Sequence, residues 1–170
     1  MASDFTVFRA GRTDGDAVGE IHAEAWRAAY SGFFAPDFFA SAVDERRHKW
    51  HGVLAEGRTT VLLAARDGRP LAYSCFGPAP EGRPGETELL GFYGHPDSWG
   101  SGIAGALMAA SLRRMREDGT GLVRLWTLRD TPQSRRFYAK NGFTESGAAR
   151  DHDFGDGNPV AQVEYARTLR

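Results

Sequence analysis

The stretch HPDSWGSGIAGALM, residues 95–108, constrains the fold of this chain more than any other. Glycines at 100, 102 and 105 follow a strand-like run, TELLGFYG (87–94). They lead into Ile103, Ala104, Leu107, Met108, Ser111, Leu112 and Met115, which repeat at helical spacing until Gly119. The chain must therefore pass straight from strand to helix through a turn of small residues. Such a turn leaves N–H groups unpaired at the positive end of a helix dipole, and small side chains let a diphosphate approach the backbone.

The spacing Gly100, Gly102, Gly105 is a literal G-x-G-x-x-G, but the setting does not suit a nicotinamide dinucleotide. That fingerprint follows the first strand of its unit and needs an acidic residue roughly 20 positions further on to hold the ribose. Here the motif begins at residue 100, which leaves too little chain for a dinucleotide fold. The residues about 20 positions past Gly105 are Val123, Arg124 and Leu125, and none accepts a hydrogen bond from a ribose hydroxyl. Asp130 closes that strand too late, beside a helix start. The turn suits another pyrophosphate ligand equally well, and coenzyme A carries one.

Around this turn the chain punctuates clearly. FTVFRA (5–10) reads as a strand, and Thr13 and Asp14 can cap a helix carrying Ala17, Val18, Ile21, Ala25 and Ala28. Pro36 can open a second helix running to about Ala55. TTVLLAARDGRPLAYSCFG (59–77) is a hairpin, its two β-rich runs flanking the turn dipeptide Asp67-Gly68. LVRLWTL (122–128) is apolar on both faces and reads as a buried strand, Pro132 can open a helix to Asn141, and Gly142 stops it. GFTESG and VAQVEYART are closing strands separated by a Gly/Asp-rich loop at 150–158. The order βααβββαβαββ predicts an α/β fold in a single domain over 1–170, with a mixed, mostly antiparallel sheet flanked by helices.

Lys and Arg total 21 against 22 Asp and Glu, a formal net charge of -1, so no basic excess calls for nucleic acid. No stretch approaches the apolar length of a membrane helix, and the first residues show no signal peptide. Cys75 is the only cysteine, set in an apolar strand-like run, which suits a buried, inert thiol and a cytoplasmic location.

Two segments together, ELLGFYGHPDSWGSGIAGALM and LWTLRDTPQSRRFYAKNGF, resemble the GNAT superfamily of acyl-CoA-dependent N-acyltransferases. The family's Q/R-x-x-G-x-G/A pattern falls on Trp99, Gly100, Ser101, Gly102, Ile103 and Ala104. Its later pattern N-x-x-A/S-x-x-F-Y-x-x-x-G-F falls on Thr131, Ser134, Phe137, Tyr138, Gly142 and Phe143. Trp99 stands for the usual Gln or Arg, Thr131 for the usual Asn, and Gly94 for a branched aliphatic residue. The resemblance implies acetyl-CoA as acyl donor, with these positions around it. It also implies that the strand ending at Gly94 splays from its neighbour, so that pantetheine pairs with backbone around Phe92, Tyr93 and Gly94. Gly91 and Gly94 in one strand independently suggest a bulge or a close ligand approach.

Acyl transfer to an amine needs a base, an oxyanion donor and an acid for the leaving thiolate. The resemblance puts Tyr138 in the acid's place, and an N–H near Phe92 or Tyr93 is the oxyanion candidate. Glu88 is the candidate base, directly or through water, since Glu88, Leu90 and Phe92 share a face at two-residue spacing; Glu86 comes second and ordered water is the alternative. Tyr93 and His95 are further base candidates on weaker grounds, His95, before Pro96, reading first as an ordinary exposed histidine, and no His, Cys or carboxylate pattern completes a metal set. Acceptor contacts are expected from EAWRAAYSGFFAPDFF (24–39) and RDHDFGDGNP (150–159), where Asp151, Asp153 and Asp156 could favour a cationic amine. A small-molecule amine and a protein N-terminus both fit. Two rival readings remain: a donor carried on the phosphopantetheine of a carrier protein, and an acyl-CoA-binding module without turnover. A homodimer is compatible with the implied fold.

Overall fold

The computed structural model describes residues 4–169. The chain runs β1 (Phe5–Arg9), α1 (Gly15–Tyr30), α2 (Pro36–His48), α3 (Trp50–Glu56), β2 (Thr60–Arg66), β3 (Arg69–Pro78) and β4 (Glu86–Gly94). It continues through α4 (Ile103–Glu117), β5 (Leu122–Leu128), α5 (Pro132–Lys140), β6 (Thr144–His152) and β7 (Val160–Thr168). The strands make one sheet in the order β1-β2-β3-β4-β5-β7-β6. Every neighbouring pair is antiparallel except β4 and β5. The expected mixed, mostly antiparallel α/β sheet is therefore present.

Asp67 and Gly68 both take positive φ (53° and 80°), the conformation a two-residue hairpin turn requires. On one face of the sheet, Ile103, Leu107, Met108, Leu112 and Met115 of α4 pack with Leu62, Phe76, Leu89, Val123 and Leu125, and α5 adds Phe137 and Tyr138. On the other face, Val18 and Ile21 of α1 and Trp50 of α3 pack on Val61, Leu63, Tyr73 and Cys75. A third, aromatic cluster joins Trp26, Phe34, Phe38 and Phe39 to Phe154, which reaches across from the β6–β7 connection.

Three sequence expectations need correction. The helix expected to run from Pro36 to about Ala55 divides at Lys49 into α2 and α3. The division brings Trp50 beneath α1, where its indole N–H donates to His22 Nδ1 at 3.1 Å. β6 continues to His152, into the segment expected as loop, because residues 149–152 pair with 160–163 of β7. β5 is not buried on both faces. Val123 and Leu125 are buried in the cluster with α4 and Thr127 is buried, while Arg124 and Trp126, at the alternate positions, are only partly buried.

α1 and α2 meet at Gly19, where a Cβ would lie 2.0 Å from the carbonyl oxygen of Arg47. Gly to Ala in a helix interior ordinarily stabilises by about 0.5–1 kcal/mol. Here the sign reverses, because backbone cannot move aside as a side-chain tip can. Gly19→Ala is expected to destabilise the protein by about 1–3 kcal/mol, read as a lower midpoint in thermal or urea unfolding.

Candidate functional site

The site begins where a strand pair ends. β4 and β5 pair in parallel only at Glu86–Leu122, Thr87–Val123 and Glu88–Arg124. Beyond Glu88, β4 continues to Gly94 on β3 alone and β5 continues to Leu128 on β7 alone. The facing backbone edges are left without each other, so the polar groups along them are available to a ligand. The splay that the resemblance implied is therefore present, with Glu88 at the fork.

A bulge sets which side chains enter this gap. Cys75 pairs with Gly91 and Phe76 with Leu89, so Leu90 opposes no residue of β3. Leu89 is buried while Leu90 is 50% exposed. The extra residue shifts the two-residue alternation by one step. Phe92 thus joins Leu89 on the α4 and α5 side, its ring 5.3 Å from that of Phe137. Glu88 lies on the opposite face with Gly91 and Tyr93, which corrects the expectation that Glu88 and Phe92 share one. Glu86, the second candidate base, is engaged by Arg124 Nε at 3.3 Å, and that hydrogen bond holds its carboxyl below the ordinary range.

The glycine turn follows β4 directly. Gly100 and Gly102 adopt φ of 79° and 89°, left-handed values that favour glycine. The Ser101 N–H donates to Ser98 O at 3.0 Å, and the Ile103 N–H donates to Ser101 Oγ at 3.3 Å. Among the described residues, the N–H groups of Gly100, Gly102, Ala104 and Gly105 have no such acceptor. From Ile103 to Leu112, α4 carries no charged side chain, so on α4 itself the attraction for an anion comes from backbone and dipole. Trp99 is 55% exposed, and its indole donates to the Gly94 carbonyl at 2.9 Å. Thr131 Oγ1 donates to Leu128 O at 2.8 Å.

A cavity of about 710 Å³ joins these parts. Residues 88–94 of β4, Trp99, the start of α5 with Thr131, Ser134, Arg136 and Tyr138, and the aromatic end of α1 line it. Three phenols converge there. The Trp26 indole donates to Tyr93 Oη at 3.3 Å. Burial raises the Tyr138 pKa above its ordinary value, with Tyr93 adding to the effect. Tyr30 is raised by burial first and then by Tyr93 and Tyr138. Glu88 also lines the cavity, and its carboxyl is shifted upward by burial, against the Arg150 charge and with that of Glu164.

The far wall is one that sequence reading missed. Trp126 lies under the Arg150 guanidinium, 4.2 Å from Cζ to ring centroid, and Arg150 Nε donates to Gln162 Oε1 at 2.7 Å. Strict alternation along LVRLWTL would have exposed Trp126, but three further strands must be placed to bring Arg150 over it. Asp153 and Asp156, considered as contacts for a cationic amine, instead accept hydrogen bonds from their own loop: Gly155 N and Gly157 N for Asp153, and Asn158 N for Asp156.

His95 is buried rather than exposed, its Nδ1 accepting from Asp97 N at 3.1 Å. His22 is held neutral with a pKa lowered to about 2, by burial and then by Lys49 and Arg46. Burial raises the pKa of the Cys75 thiol. Among the described residues no three His, Cys, Asp or Glu side chains gather as a metal set, and no helix is long and apolar enough to cross a membrane.

Residues 17–143 match a family model described as the acetyltransferase (GNAT) family. Among solved structures, the fold is similar to PaiA N-acetyltransferase from Thermoplasma acidophilum in complex with coenzyme A. That match has 20% identity and a TM-score of 0.76, covering 98% of this chain and 99% of that one. It is also similar to yncA from Salmonella typhimurium with acetyl-CoA (20% identity, TM-score 0.71, covering 98% and 94%). A third similar fold is the ribosomal-protein-S18-alanine N-acetyltransferase from Escherichia coli (17%, 0.69, 98% and 94%). No curated protein matches the sequence.

Proposed function

The chain belongs to the acetyltransferase (GNAT) family, and from that premise we propose that residues 1–170 act as one N-acyltransferase domain. It moves an acetyl or related acyl group from acyl-CoA to a primary amine by direct attack. The observation that carries the reading is the parting of β4 and β5, with Glu88 at the fork and Tyr138 lining the same cavity.

In this reading the N–H groups of Gly100, Gly102, Ala104 and Gly105 hold the diphosphate of coenzyme A at the positive end of α4. Arg136 adds charge from α5, and Ser134 and Thr131 border the cofactor. Four free donors suit a diphosphate better than the single phosphodiester of a carrier protein. Pantetheine lies along β4 at Phe92 and Tyr93. The Gly94 carbonyl can serve it while accepting from Trp99, since a carbonyl has two lone pairs.

The amine must reach the thioester without its extra proton. Glu88 takes that proton, directly or through water, and its raised pKa brings it closer to working pH than an ordinary carboxylate. An N–H on the gap side of β4 near Phe92 or Tyr93 stabilises the tetrahedral oxyanion. As the C–N bond forms and the C–S bond breaks, Tyr138 donates to the departing sulfur. Burial keeps the phenol protonated at physiological pH. Outright transfer to a thiolate, whose thiol pKa is about 8.5, runs uphill, so the proton shed by nitrogen balances the step. The products are the amide and free coenzyme A.

Release of coenzyme A thiol from acetyl-CoA, dependent on an added amine, tests the activity, and its absence across small amines and N-terminal peptides would refute it. Tyr138→Phe is expected to lower kcat about 10²-fold while the acetyl-CoA KM stays within about 3-fold; a raised KM with kcat unchanged would mark Tyr138 as a binding residue only.

Glu88→Gln is expected to lower kcat/KM by about 10² and to remove the acid limb of its pH profile. The sign of the stability effect follows from the raised pKa. Between the unfolded value of about 4.3 and the raised native value, the native state binds more protons than the unfolded chain, so stability is lost as pH rises through that window and the carboxylate costs stability at neutral pH and not in acid. Glu88→Gln should therefore raise the melting temperature at pH 7 and leave it unchanged near pH 4. Arg150 and Glu164 are the charged groups facing Glu88 in this balance.

A further inference from the structure

The acceptor side of the cavity has its own charge pattern. Arg150 on β6 is pinned by two contacts, its plane on the Trp126 ring at 4.2 Å and its Nε on Gln162 Oε1 at 2.7 Å. Those contacts use one face and one edge of the guanidinium and leave the Nη fork uncommitted. No carboxylate among the described residues lies within ion-pair distance of it. The natural partner on β7, Glu164, is taken by Arg124 Nη1 at 3.0 Å and Ser146 Oγ at 2.7 Å. Asp153 is turned into its own loop. An arginine held in place, with no carboxylate partner among the described residues, is preorganised for a bidentate anion.

Glu88 lines the same cavity and senses the Arg150 charge. The remaining wall on that side is mostly aromatic, from Trp26, Tyr30, Phe33, Phe34 and Phe154, with His152 beside Phe154 at 4.6 Å between ring centroids. One carboxylate, one free guanidinium fork and an aromatic wall are the complement of a zwitterion with an apolar side chain.

We propose that the acceptor is an α-amino acid with an apolar side chain, its carboxylate held by Arg150 and its amine presented towards Glu88. The proposal rests on the acyltransferase reading and narrows its acceptor. A protein N-terminus carries an amide where the amino acid carries a carboxylate. It would bring no anion to Arg150, whose exposed fork would keep only water as its partner.

The test compares three amines of one shape, L-phenylalanine, L-phenylalaninamide and 2-phenylethylamine, as acceptors for acetyl-CoA. Values of kcat/KM are expressed per unprotonated amine. The acid is expected to exceed the amide by at least about 30-fold in the unaltered enzyme, with phenylethylamine no better than the amide. In Arg150→Gln that ratio should collapse to within about 3-fold. Arg150→Lys, which keeps the charge and loses the fork, should retain an intermediate ratio. Acetyl-CoA titration of each variant establishes that it is folded. An amide used as well as the acid, or a preference that survives Arg150→Gln, would overturn the proposal. Acetyl-CoA binding with no turnover of any of the three would also overturn it while leaving the acyltransferase reading standing. Failure to bind acetyl-CoA at all would remove that reading itself.

Discussion

A parallel strand pair that holds for three residues and then parts is the constraint on which the remainder of this structure depends. Parallel pairing between β4 and β5 requires a crossover, and α4 supplies it. Once the strands diverge past Glu88 and Arg124, each must take its hydrogen bonds from its outer neighbour, and their inner edges face a gap. Leu90 completes the arrangement. By opposing no residue of β3 it re-aims the rest of β4, so that Phe92 anchors the strand to α5 while Tyr93 turns to α1. The gap is thus held open by packing on both faces rather than by a loop.

The same geometry sorts the polar groups. Side chains that stabilise the fold are paired: Ser74 with Ser111 at 2.7 Å, Trp50 with His22, and Arg124 with Glu86 and Glu164. Those around the gap are less well satisfied. Glu88 is shifted towards its neutral form by burial, Tyr138 likewise, and Arg150 presents an uncommitted fork. Glu88 and Tyr138, perturbed by burial, gain from what a ligand brings, and this is how perturbed groups gather at sites of chemistry. The large cores on both faces of the sheet supply the stability that lets such groups persist.

The glycine turn was legible because its residues carry the constraint themselves: Gly100 and Gly102 take left-handed φ that few other residues tolerate. The hairpin at Asp67-Gly68 was legible for the same reason. Gly91 and Gly94 announced an irregular strand, but not that the bulge falls at Leu90, since the bulge belongs to the register between two strands. The face of Phe92 was misread on that account. Arg150 and Trp126 lay beyond reach because they meet only when β5, β7 and β6 are placed side by side. Pro96 marks a turn at His95 but does not say that the turn packs against α1 and β3, which buries the imidazole.

In the proposed reading, the turn after β4 and the gap beside it bind an acyl-CoA through backbone. Amide-resolved NMR titration of the isotope-labelled protein with acetyl-CoA tests it most directly. Saturable shifts are expected, centred on the N–H groups of Gly100, Gly102, Ala104 and Gly105 and extending along β4 through Phe92. Shifts confined to other parts of the sheet, or no saturable response at millimolar acetyl-CoA, would contradict it.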